Sequence, residues 1–212
     1  DPSWDAGAGD AAAGGVQALA LSGDRLYAGG EFDALNGTAR RNTILYLGGA
    51  FDYVGPATGS GVGLDAAGTG AADFDFPRVN GPVHAAVADG SGGWFIGGEF
   101  SRVGEQARAN LAHIDASRAV TAWAPATNGA VRALALAGGV LYAGGEFTQA
   151  GGAARNRIAA VDAASGVVAA WNPAADGAVL ALLHTGATVY AGGEFTQIGG
   201  AGRNRIAALD VS

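Results

Sequence analysis

The 212-residue sequence contains no cysteine, no methionine and no lysine. Without cysteine, disulfides, thiolate catalysis and cysteine-ligated metal sites are excluded. All twelve basic side chains are therefore arginines, and the formal net charge is −7. Because an acidic surface repels phosphate backbones, nucleic acid is not an expected partner. The absence of methionine at position 1 predicts a processed chain or an internal segment, such as the removal of a secretory signal would leave.

Long hydrophobic runs are also missing. No stretch approaches the roughly 18–20 continuous apolar residues of a membrane helix, so membrane insertion of this domain is not expected. No window combines the apolar periodicity and the end caps of an amphipathic helix. Hydrophobic residues nevertheless make up 49% of the chain, which is enough for a core despite 38 glycines. These features favour a folded, all-β protein.

An internal repeat organises the sequence. Five segments contain Gly-Gly-Glu-Phe or the variant Gly-Gly-Ala-Phe, and the residue after each glycine pair marks one repeat: Glu31, Ala50, Glu99, Glu146 and Glu194. Successive markers lie 19, 49, 47 and 48 residues apart. A period near 48 residues is typical of one propeller blade made of four short strands.

The fourth repeat illustrates the four expected strands. They are residues 131–136, 140–143, 157–162 and 167–171, separated by glycine-rich turns and stopped by Asn-Pro. Short apolar runs bounded by such turns indicate β-strands. The sequence therefore predicts an all-β fold, a β-propeller of about five four-stranded blades, in which residues 1–212 form a single domain.

The two ends of the chain match complementary parts of one blade. Residues 205–210 match a third strand, whereas the PSWD segment around Trp4 matches the end of a fourth strand, as in AWNP around Trp171. We therefore expect strands from both ends to share one blade and to close the ring. Closure would remove an open sheet edge, which otherwise invites aggregation.

The spacing between the first two repeat markers departs from the period. Five repeats of 48 residues exceed the chain length by 28 residues, and the step from Glu31 to Ala50 is 29 residues short. Two alternatives explain the deficit: one blade is truncated, or a stretch between Asn42 and Thr43 is absent from this sequence.

The phrase Gly-Gly-Glu-Phe resembles the GGDEF-type signature of cyclic dinucleotide synthases, but it recurs several times and lies at predicted strand ends. A structural role is therefore expected, in which paired glycines permit a bulge or a close strand approach and the phenylalanine packs between blades. Glutamate and arginine also recur nine residues apart, and both are missing from the second repeat, which has Ala50 and Gly59. This joint loss predicts ion pairs, with a ring of ligand-binding carboxylates as the alternative. The expected pairs are Glu31–Arg40, Glu99–Arg108, Glu146–Arg155 and Glu194–Arg203.

An aspartate closes the third strand of four repeats: Asp65, Asp115, Asp162 and Asp210. Aspartate initiates turns because its carboxylate accepts bonds from nearby backbone N–H groups. The density of oxygen ligands is too low for a calcium loop, so no metal is expected.

Aromatic residues also recur. Trp4, Trp123 and Trp171 mark the outer strand, with Phe74 and Phe76 in the corresponding region of the second repeat. We expect them to pack between blades, with an aromatic platform for a glycan as the alternative. The aromatic residues of the second strand are expected in the core: Tyr27, Tyr46, Trp94, Tyr142 and Tyr190.

The sequence contains few residues or motifs that are typical of catalytic sites. The three histidines are His84, His113 and His184. His84 and His184 fall in equivalent first strands and have no acidic or cysteine neighbours at ligand spacing, and the partners that a zinc or triad role would need are not visible in the sequence. The sequence also lacks a nucleophile elbow, a P-loop and a dinucleotide-binding fingerprint. No catalytic residue, metal or cofactor is therefore predicted, and ligand-binding residues are not assigned. An enzyme with a site on the propeller axis would need residues that break the repeat, and the candidates are few: Arg78, Asn80, Arg102 and Glu105.

The repeat phrase resembles that of a known family. Segments such as GGEFTQAGGAARNRIAAVDAASGVVAAWNPAADGAVLAL and VNGPVHAAVADGSGGWFIGGEFSRVG are similar to the delta-60 repeat β-propellers of bacterial, largely secreted or surface proteins. The resemblance covers essentially the whole chain. It implies a propeller fold and a secreted, periplasmic or cell-surface location. It implies no site residues, because the family carries no agreed activity.

These observations predict a non-catalytic extracellular or cell-surface propeller that serves as a protein-interaction or structural subunit. A protein partner or surface assembly is the expected partner. The alternatives are a glycan-binding propeller that uses its aromatic residues, and a hydrolase or lyase with a site on the propeller axis. Fold alone does not decide among these functions.

Overall fold

The structure is a computed structural model that describes residues 76–211 in full and, before them, the backbone of five strands. Every regular element among these residues is a β-strand, and the strand pairs are antiparallel. The prediction of an all-β fold is therefore confirmed. No helix in this part of the chain has the length and apolar character that crossing a membrane requires.

The chain divides into two compact regions, Asp1–Val83 and His84–Ser212. The strands described in the first region are β1 (Val16–Ser22), β2 (Arg25–Gly30), β3 (Tyr46–Gly48), β4 (Gly61–Leu64) and β5 (Ala72–Asp73). β1 pairs with β2, with a β-bulge between Val16 and Ala18. β3, β4 and β5 form a separate three-stranded sheet. The described strands of the first region therefore form two small antiparallel sheets.

The second region contains the third, fourth and fifth repeats, and β6 begins at its boundary. Its strands are β6 (Val83–Ala88), β7 (Trp94–Gly98), β8 (Arg102–Val103), β9 (Gln106–Ala107), β10 (Leu111–Ile114), β11 (Val131–Ala137), β12 (Val140–Gly145), β13 (Gln149–Ala150), β14 (Ala153–Ala154), β15 (Ile158–Asp162), β16 (Val179–Thr185), β17 (Thr188–Gly193), β18 (Gln197–Ile198), β19 (Ala201–Gly202) and β20 (Ile206–Asp210).

Each of these repeats is built on one plan. A three-stranded sheet has the second strand of the repeat in its middle: β6–β7–β10, β11–β12–β15 and β16–β17–β20. A short hairpin that we did not predict lies between the second and third strands: β8–β9, β13–β14 and β18–β19. The first three strands predicted for the fourth repeat agree with β11, β12 and β15 to within two residues at each end.

The predicted fourth strand is reduced to a single bridge. After the third strand the chain turns back, and Val168 pairs with Val161 in the fourth repeat. The third repeat has the same arrangement, with Val120 opposite Ile114. The described sheets therefore have two or three strands where four were expected. We call this returning stretch the fourth segment: residues 119–123 of the third repeat and residues 167–171 of the fourth.

A different steric contact at each position explains why both residues of the Gly-Gly pair are glycine. A Cβ atom on Gly144 would lie 2.6 Å from Cγ1 of Val179, which belongs to the first strand of the next repeat. A Cβ atom on Gly145 would lie 2.0 Å from the carbonyl oxygen of Ala130, where a β-bulge interrupts the pairing of β11 with β12. The first glycine thus permits close packing between repeats, and the second admits the bulge, as predicted.

The phenylalanine of the Gly-Gly-Glu-Phe phrase is buried between neighbouring repeats. Phe147 lies in a core cluster that joins the third and fourth repeats and includes Phe95 and Leu141. Phe195 lies in a cluster that joins the fourth and fifth repeats and includes Tyr142. Because each cluster draws on two repeats, burial of apolar area stabilises the junction as well as the repeat, as in other repeat proteins.

A left-handed backbone conformation recurs just before the third strand. The residues that adopt it are Asn110, Arg157 and Arg205, with φ angles of 66°, 66° and 63°. In the fourth repeat, the N–H of Arg157 donates to the carbonyl of Phe147 over 2.8 Å, and its carbonyl accepts from the N–H of Gly145 over 2.9 Å. The conformation therefore closes the loop that follows the glycine pair.

Replacing Arg157 with asparagine is expected to stabilise the protein. Asparagine tolerates the left-handed region better than arginine does, and Asn110 already occupies the equivalent position. We expect the free energy of unfolding to rise by about 0.5–1 kcal/mol, which corresponds to about 2 °C in Tm. Thermal denaturation followed by circular dichroism measures this change. Arg155→Asn is the matched control and should be destabilising, and a loss of stability in Arg157→Asn would contradict the strain argument.

Candidate functional site

In the part of the chain that the structure describes, the recurring arginines bind backbone carbonyls and do not form the predicted ion pairs. Arg155 donates from Nε and Nη2 to the carbonyl of Ala169 in the fourth segment, over 3.3 and 2.7 Å. Arg108 makes the equivalent bond to the carbonyl of Thr121. The fourth segment forms only one bridge, so its carbonyls need other donors, and the guanidinium groups supply them. Among the described side chains, the ion-pair prediction is therefore wrong for Glu99–Arg108, Glu146–Arg155 and Glu194–Arg203.

Glu146 pairs instead with an arginine on the first strand of its own repeat. Arg132 Nη2 lies 2.8 Å from the Glu146 carboxylate, and Arg132 Nη1 lies 2.8 Å from Nε2 of His84. A guanidinium only donates, so His84 Nε2 accepts and the proton of a neutral ring is on Nδ1. Arg132 is thus held between two side chains of the protein itself.

The turn prediction for the aspartates is confirmed for Asp115 and Asp162. Asp115 Oδ1 accepts bonds from N and Oγ of Ser117, over 2.8 and 2.6 Å. Asp162 Oδ1 accepts from N and Oγ of Ser165, over 2.6 Å each. The serine hydroxyl and backbone N–H bonds stabilise the ionised form and lower the pKa of both carboxyls.

A second loop anchor recurs, and we did not predict it. Asp176 accepts bonds from the N–H groups of Thr196 and Gln197, over 2.8 Å each, and from the Thr196 hydroxyl over 2.6 Å. The hydroxyl bond and then the backbone bonds lower the pKa of Asp176 to about 2. Asn128 holds the hairpin of the fourth repeat in the same way. Asn80 occupies this position one period earlier, so its classification as a repeat-breaking residue is wrong.

The tryptophans of the fourth segments bind the next repeat. Trp123 is only 5% exposed, packs edge to face on Phe95 at 4.9 Å, and donates from Nε1 to the carbonyl of Asp162 over 3.1 Å. Trp171 donates to the carbonyl of Asp210 over 2.8 Å. Packing between repeats is confirmed for Trp123, which is too buried to offer a platform to a sugar.

The core prediction for the second-strand aromatics is correct for two of the described residues and wrong for one. Trp94 and Tyr142 are buried, whereas Tyr190 is 42% exposed. The reason is the position of Tyr190 in the last described sheet. The fifth repeat packs on the sheet face that carries Tyr142. The equivalent face of the fifth repeat leaves Leu183 and Ile206 exposed by 63% and 70%.

Several predicted residues lie outside the part of the chain whose side chains are described: Trp4, Tyr27, Glu31, Arg40, Tyr46, Ala50, Asp65 and Phe74. The join between Asn42 and Thr43 also lies outside it. Arg102, one of the repeat-breaking candidates, forms an exposed ion pair with Glu105 over 3.4 Å. Among the described residues, no group of three or more histidines and carboxylates is placed to hold a metal ion.

One polar cluster is specific to the third repeat. His113 Nε2 lies 3.1 Å from Asp89 Oδ2, and His113 Nδ1 lies 3.2 Å from Thr121 Oγ1. The imidazole stacks on Phe95 with ring centroids 4.3 Å apart. In the fourth repeat all three polar positions are alanines: Ala137, Ala160 and Ala169. Three adjacent alanines are thus replaced together by a carboxylate, an imidazole and a hydroxyl that bind one another.

This Asp–His–Thr cluster is mostly buried. The side chains of His113 and Asp89 are 16% and 9% exposed. The Thr121 hydroxyl is also an acceptor for the N–H of Trp123, over 3.3 Å. The sequence contains all three residues but gives no sign that they meet, because they lie on three different segments separated by 8 to 32 residues.

Hydrogen bonds keep the Asp89 carboxylate ionised. Burial raises its pKa, but bonds from the hydroxyl and N–H of Ser91, from His113 and from the N–H of Gly93 together outweigh that effect and lower the pKa to about 2. Because the folded pKa is below the ordinary value, this group stabilises the fold above about pH 4 and loses its contribution as the pH falls towards about 2.

The contribution of Asp89 to the stability of the fold is expected to depend on pH. We expect Asp89→Asn to lower the free energy of unfolding near neutral pH, and we expect its difference from the wild-type chain to shrink by about 2 kcal/mol between about pH 5 and pH 2. Urea denaturation of both proteins across this range measures the difference. A difference that stays constant with pH would show that Asp89 does not titrate with a lowered pKa.

An open cleft lies at the fifth repeat. Its volume is about 590 Å³, and its lining includes Trp171, Pro173, Asp176, Gln197 and Gly199. An indole, a carboxylate and side-chain amides around an open cleft are groups that could contact a polar ligand. The Asp176 carboxylate already binds its own hairpin, so it contributes little free charge to the cleft.

The equivalent space in the fourth repeat is filled by the chain itself. A Cβ atom on Gly151, which corresponds to Gly199, would lie 2.6 Å from Cγ2 of Val168 in the fourth segment. A Cβ atom on Gly166, in the turn before that segment, would lie 3.3 Å from the ring of Trp123, which corresponds to Trp171. The cleft is thus the position that a fourth segment occupies in the preceding repeat.

Comparisons with known proteins support the fold alone. No protein-family model and no curated protein matches the chain. The computationally designed Ika4 protein is similar in structure, with a TM-score of 0.54 and 15% identity, over 84% of this chain and 90% of that chain. The designed Ika8 protein aligns with a TM-score of 0.42 and 14% identity, over 89% of this chain and 72% of that chain.

Proposed function

We propose that the chain is a β-propeller of about five blades, similar to the delta-60 repeat family, and that strands from its two ends share one blade. The support is the regular packing of three successive repeats, in which each junction buries a phenylalanine and binds a tryptophan to the next repeat. The recurrence of the fourth-segment phrase around Trp4 supports the closure.

Small-angle X-ray scattering tests this architecture. A compact arrangement of 212 residues has an expected radius of gyration of about 17 Å. An open array of five repeats is longer and would give a clearly larger value. A radius well above that of a compact domain in a monodisperse sample would rule out the closed ring.

We further propose that the protein is a non-catalytic subunit, exported from the cell, that binds a protein partner or forms part of a surface assembly. The observation that carries this proposal is the use of the recurring polar side chains. Arg108 and Arg155 bind backbone carbonyls, and Asn128 and Asp176 bind their own hairpins. Side chains occupied in this way stabilise repeats and leave the variable surface for recognition.

Reconstitution tests the interaction role. A tagged chain is purified from its native source under mild crosslinking, and any protein at fixed stoichiometry is identified by mass spectrometry. The complex is then rebuilt from the two purified components and followed by analytical ultracentrifugation. We expect one partner to rebind at the same ratio. A chain that stays monomeric with every recovered candidate would contradict the proposal.

A glycan-binding role is the second candidate, and the cleft beside Trp171 favours it. Calorimetric titration with oligosaccharides compares the wild-type chain with Trp171→Ala and with Trp94→Phe as the control. Binding that is lost only in Trp171→Ala would support this candidate. Equal binding by all three proteins would exclude the Trp171 platform.

The Asp–His–Thr cluster is the observation that favours a hydrolase. A carboxylate, an imidazole and a hydroxyl in series are the groups of a nucleophilic triad. Hydrolysis of a panel of activated esters by the wild-type chain and by Thr121→Val tests this role. We expect equal and negligible rates, and turnover that depends on the Thr121 hydroxyl would overturn the non-catalytic proposal.

A further inference from the structure

An asparagine followed by glycine lies in the loop before β11. The dipeptide is Asn128-Gly129, and the loop before β16 has Asp176-Gly177 at the same position of the repeat. A Cβ atom on Gly129 would lie 3.0 Å from Cα of Phe147, and one on Gly177 would lie 2.6 Å from a backbone carbonyl oxygen. Close backbone contact therefore favours glycine after the side chain that anchors the hairpin.

Asparagine before glycine is chemically labile, because a residue without Cβ lets its backbone nitrogen approach the preceding side-chain amide. The nitrogen of Gly129 attacks Cγ of Asn128, the bond from Cγ to Nδ2 breaks, and ammonia leaves with the proton of the Gly129 nitrogen. Water then opens the resulting succinimide ring. The N–H of Gly129 makes no hydrogen bond with another residue that the structure describes, so no such bond has to break before the attack.

Two backbone N–H groups point at the oxygen where charge develops during this reaction. The N–H groups of Thr148 and Gln149 donate to Oδ1 of Asn128 over 2.9 Å each. Negative charge forms on that oxygen when Cγ is attacked, first by the Gly129 nitrogen and later by water. Donors that are already in place stabilise both transition states. Nδ2 of Asn128 lies 2.9 Å from the Thr148 hydroxyl, which is therefore beside the departing nitrogen.

The fifth repeat shows that an aspartate fits the same anchor. Asp176 accepts two backbone N–H bonds at Oδ1 over 2.8 Å each and the Thr196 hydroxyl at Oδ2 over 2.6 Å. Thr148 corresponds to Thr196, and its hydroxyl can donate as well as accept. An aspartate at position 128 would therefore keep all three hydrogen bonds of the anchor.

We propose that Asn128 is a site of spontaneous deamidation, in which the N–H groups of Thr148 and Gln149 stabilise the oxyanion at Cγ and direct the product to aspartate. Water is the co-reactant and ammonia the product, and the modification adds one negative charge to a formal charge of −7. Attack of water on Cγ restores a normal peptide bond, whereas attack on the backbone carbonyl gives isoaspartate. The reaction requires neither ring closure nor a protein partner.

Peptide mapping by mass spectrometry tests the site. The full chain is incubated at mildly alkaline pH, folded or in urea, and cleaved after arginine, which places Asn128 in the peptide of residues 119–132. We expect Asn128 to convert at least as fast in the folded chain as in urea, mainly to aspartate when folded and mainly to isoaspartate when unfolded. The internal controls, in which glycine does not follow, are expected to stay unchanged: Asn110, Asn156 and Asn204.

Two results of this experiment would overturn the inference. Asn128 that survives in the folded chain while it converts in urea would show that the fold protects the amide. Isoaspartate as the main product of the folded chain would show that water attacks the backbone carbonyl, so the N–H groups on Oδ1 would not direct the reaction.

The fifth repeat supplies a matched variant. Asp176→Asn places the same dipeptide on the same anchor, with circular dichroism to verify the fold. We expect the new asparagine to convert at a rate similar to that of Asn128 and to regenerate the natural sequence. A stable asparagine at position 176, beside an Asn128 that converts, would show that the shared anchor does not promote the reaction.

Thermal denaturation tests whether the product keeps the anchor. Asn128→Asp is expected to have at least the Tm of the wild-type chain, because hydrogen bonds to a charged acceptor are the stronger ones. Asn128→Ala loses the anchor, and we expect its Tm to fall by about 3 °C. Equal losses in both variants would overturn the claim that aspartate replaces the amide without cost.

Discussion

Gly145→Ala is expected to lower the free energy of unfolding by about 3 kcal/mol, enough to shift Tm by about 6–12 °C. The added Cβ atom would lie 2.0 Å from the carbonyl oxygen of Ala130. The position of a Cβ atom is fixed by its own backbone, and the carbonyl oxygen is a backbone atom, so no side-chain rotation relieves the clash. The bulge itself has to shift, and with it the close packing of β11 on β12.

The control for this substitution is another glycine to alanine change in the same class of element. Gly202 has no atom within 4 Å of an added Cβ, and the fourth repeat has Ala154 at the equivalent position. Gly202→Ala is expected to change stability by less than about 0.5 kcal/mol. Chemical denaturation of the two variants beside the wild-type chain gives both values, and similar effects would contradict the steric explanation.

Trp123→Ala has the second large expected effect, a loss of about 3–5 kcal/mol in the free energy of unfolding. The indole is buried between the third and fourth repeats and binds the carbonyl of Asp162. Its removal leaves a cavity at a junction and an unpaired carbonyl. The cost therefore combines lost packing with a lost hydrogen bond.

Two further variants divide the Trp123 effect into its parts. Trp123→Phe keeps most of the packing and removes the Nε1 donor, so it is expected to cost about 1–2 kcal/mol. Trp171→Ala removes the same residue type from the more exposed position beside the cleft, and its cost is expected to be about half that of Trp123→Ala. Equal losses for Trp123→Ala and Trp171→Ala would show that junction burial does not set the energy.

Features that depend on short-range pattern could be predicted from the sequence. The apolar runs and the glycine pairs located the first three strands of the fourth repeat, the bulge and the buried phenylalanine. The aspartate turns followed from the local chemistry of Asp115 and Asp162. The strands and the aspartate turns involve residues near one another in the chain, where the geometry of a strand or turn fixes which groups meet.

Partner choice over longer distances could not be predicted. Nine-residue spacing suggested that Arg155 would bind Glu146, but its guanidinium donates to the carbonyl of Ala169 instead. The Asp–His–Thr cluster depends on strand order, which a linear pattern does not contain. Tyr190 was misplaced for a similar reason, because its burial depends on what covers the sheet and not on the strand that carries it.

The junction bond from Trp123 to the carbonyl of Asp162 has a consequence for the evolution of such chains. The bond joins a residue of one repeat to a residue of the next, 39 positions later, and the bond from Trp171 to Asp210 has the same span. Duplication or deletion of one whole period in the gene would recreate every such bond without any compensating substitution. The number of repeats can therefore change in one genetic event, whereas an insertion of partial length would place each tryptophan against the wrong carbonyl.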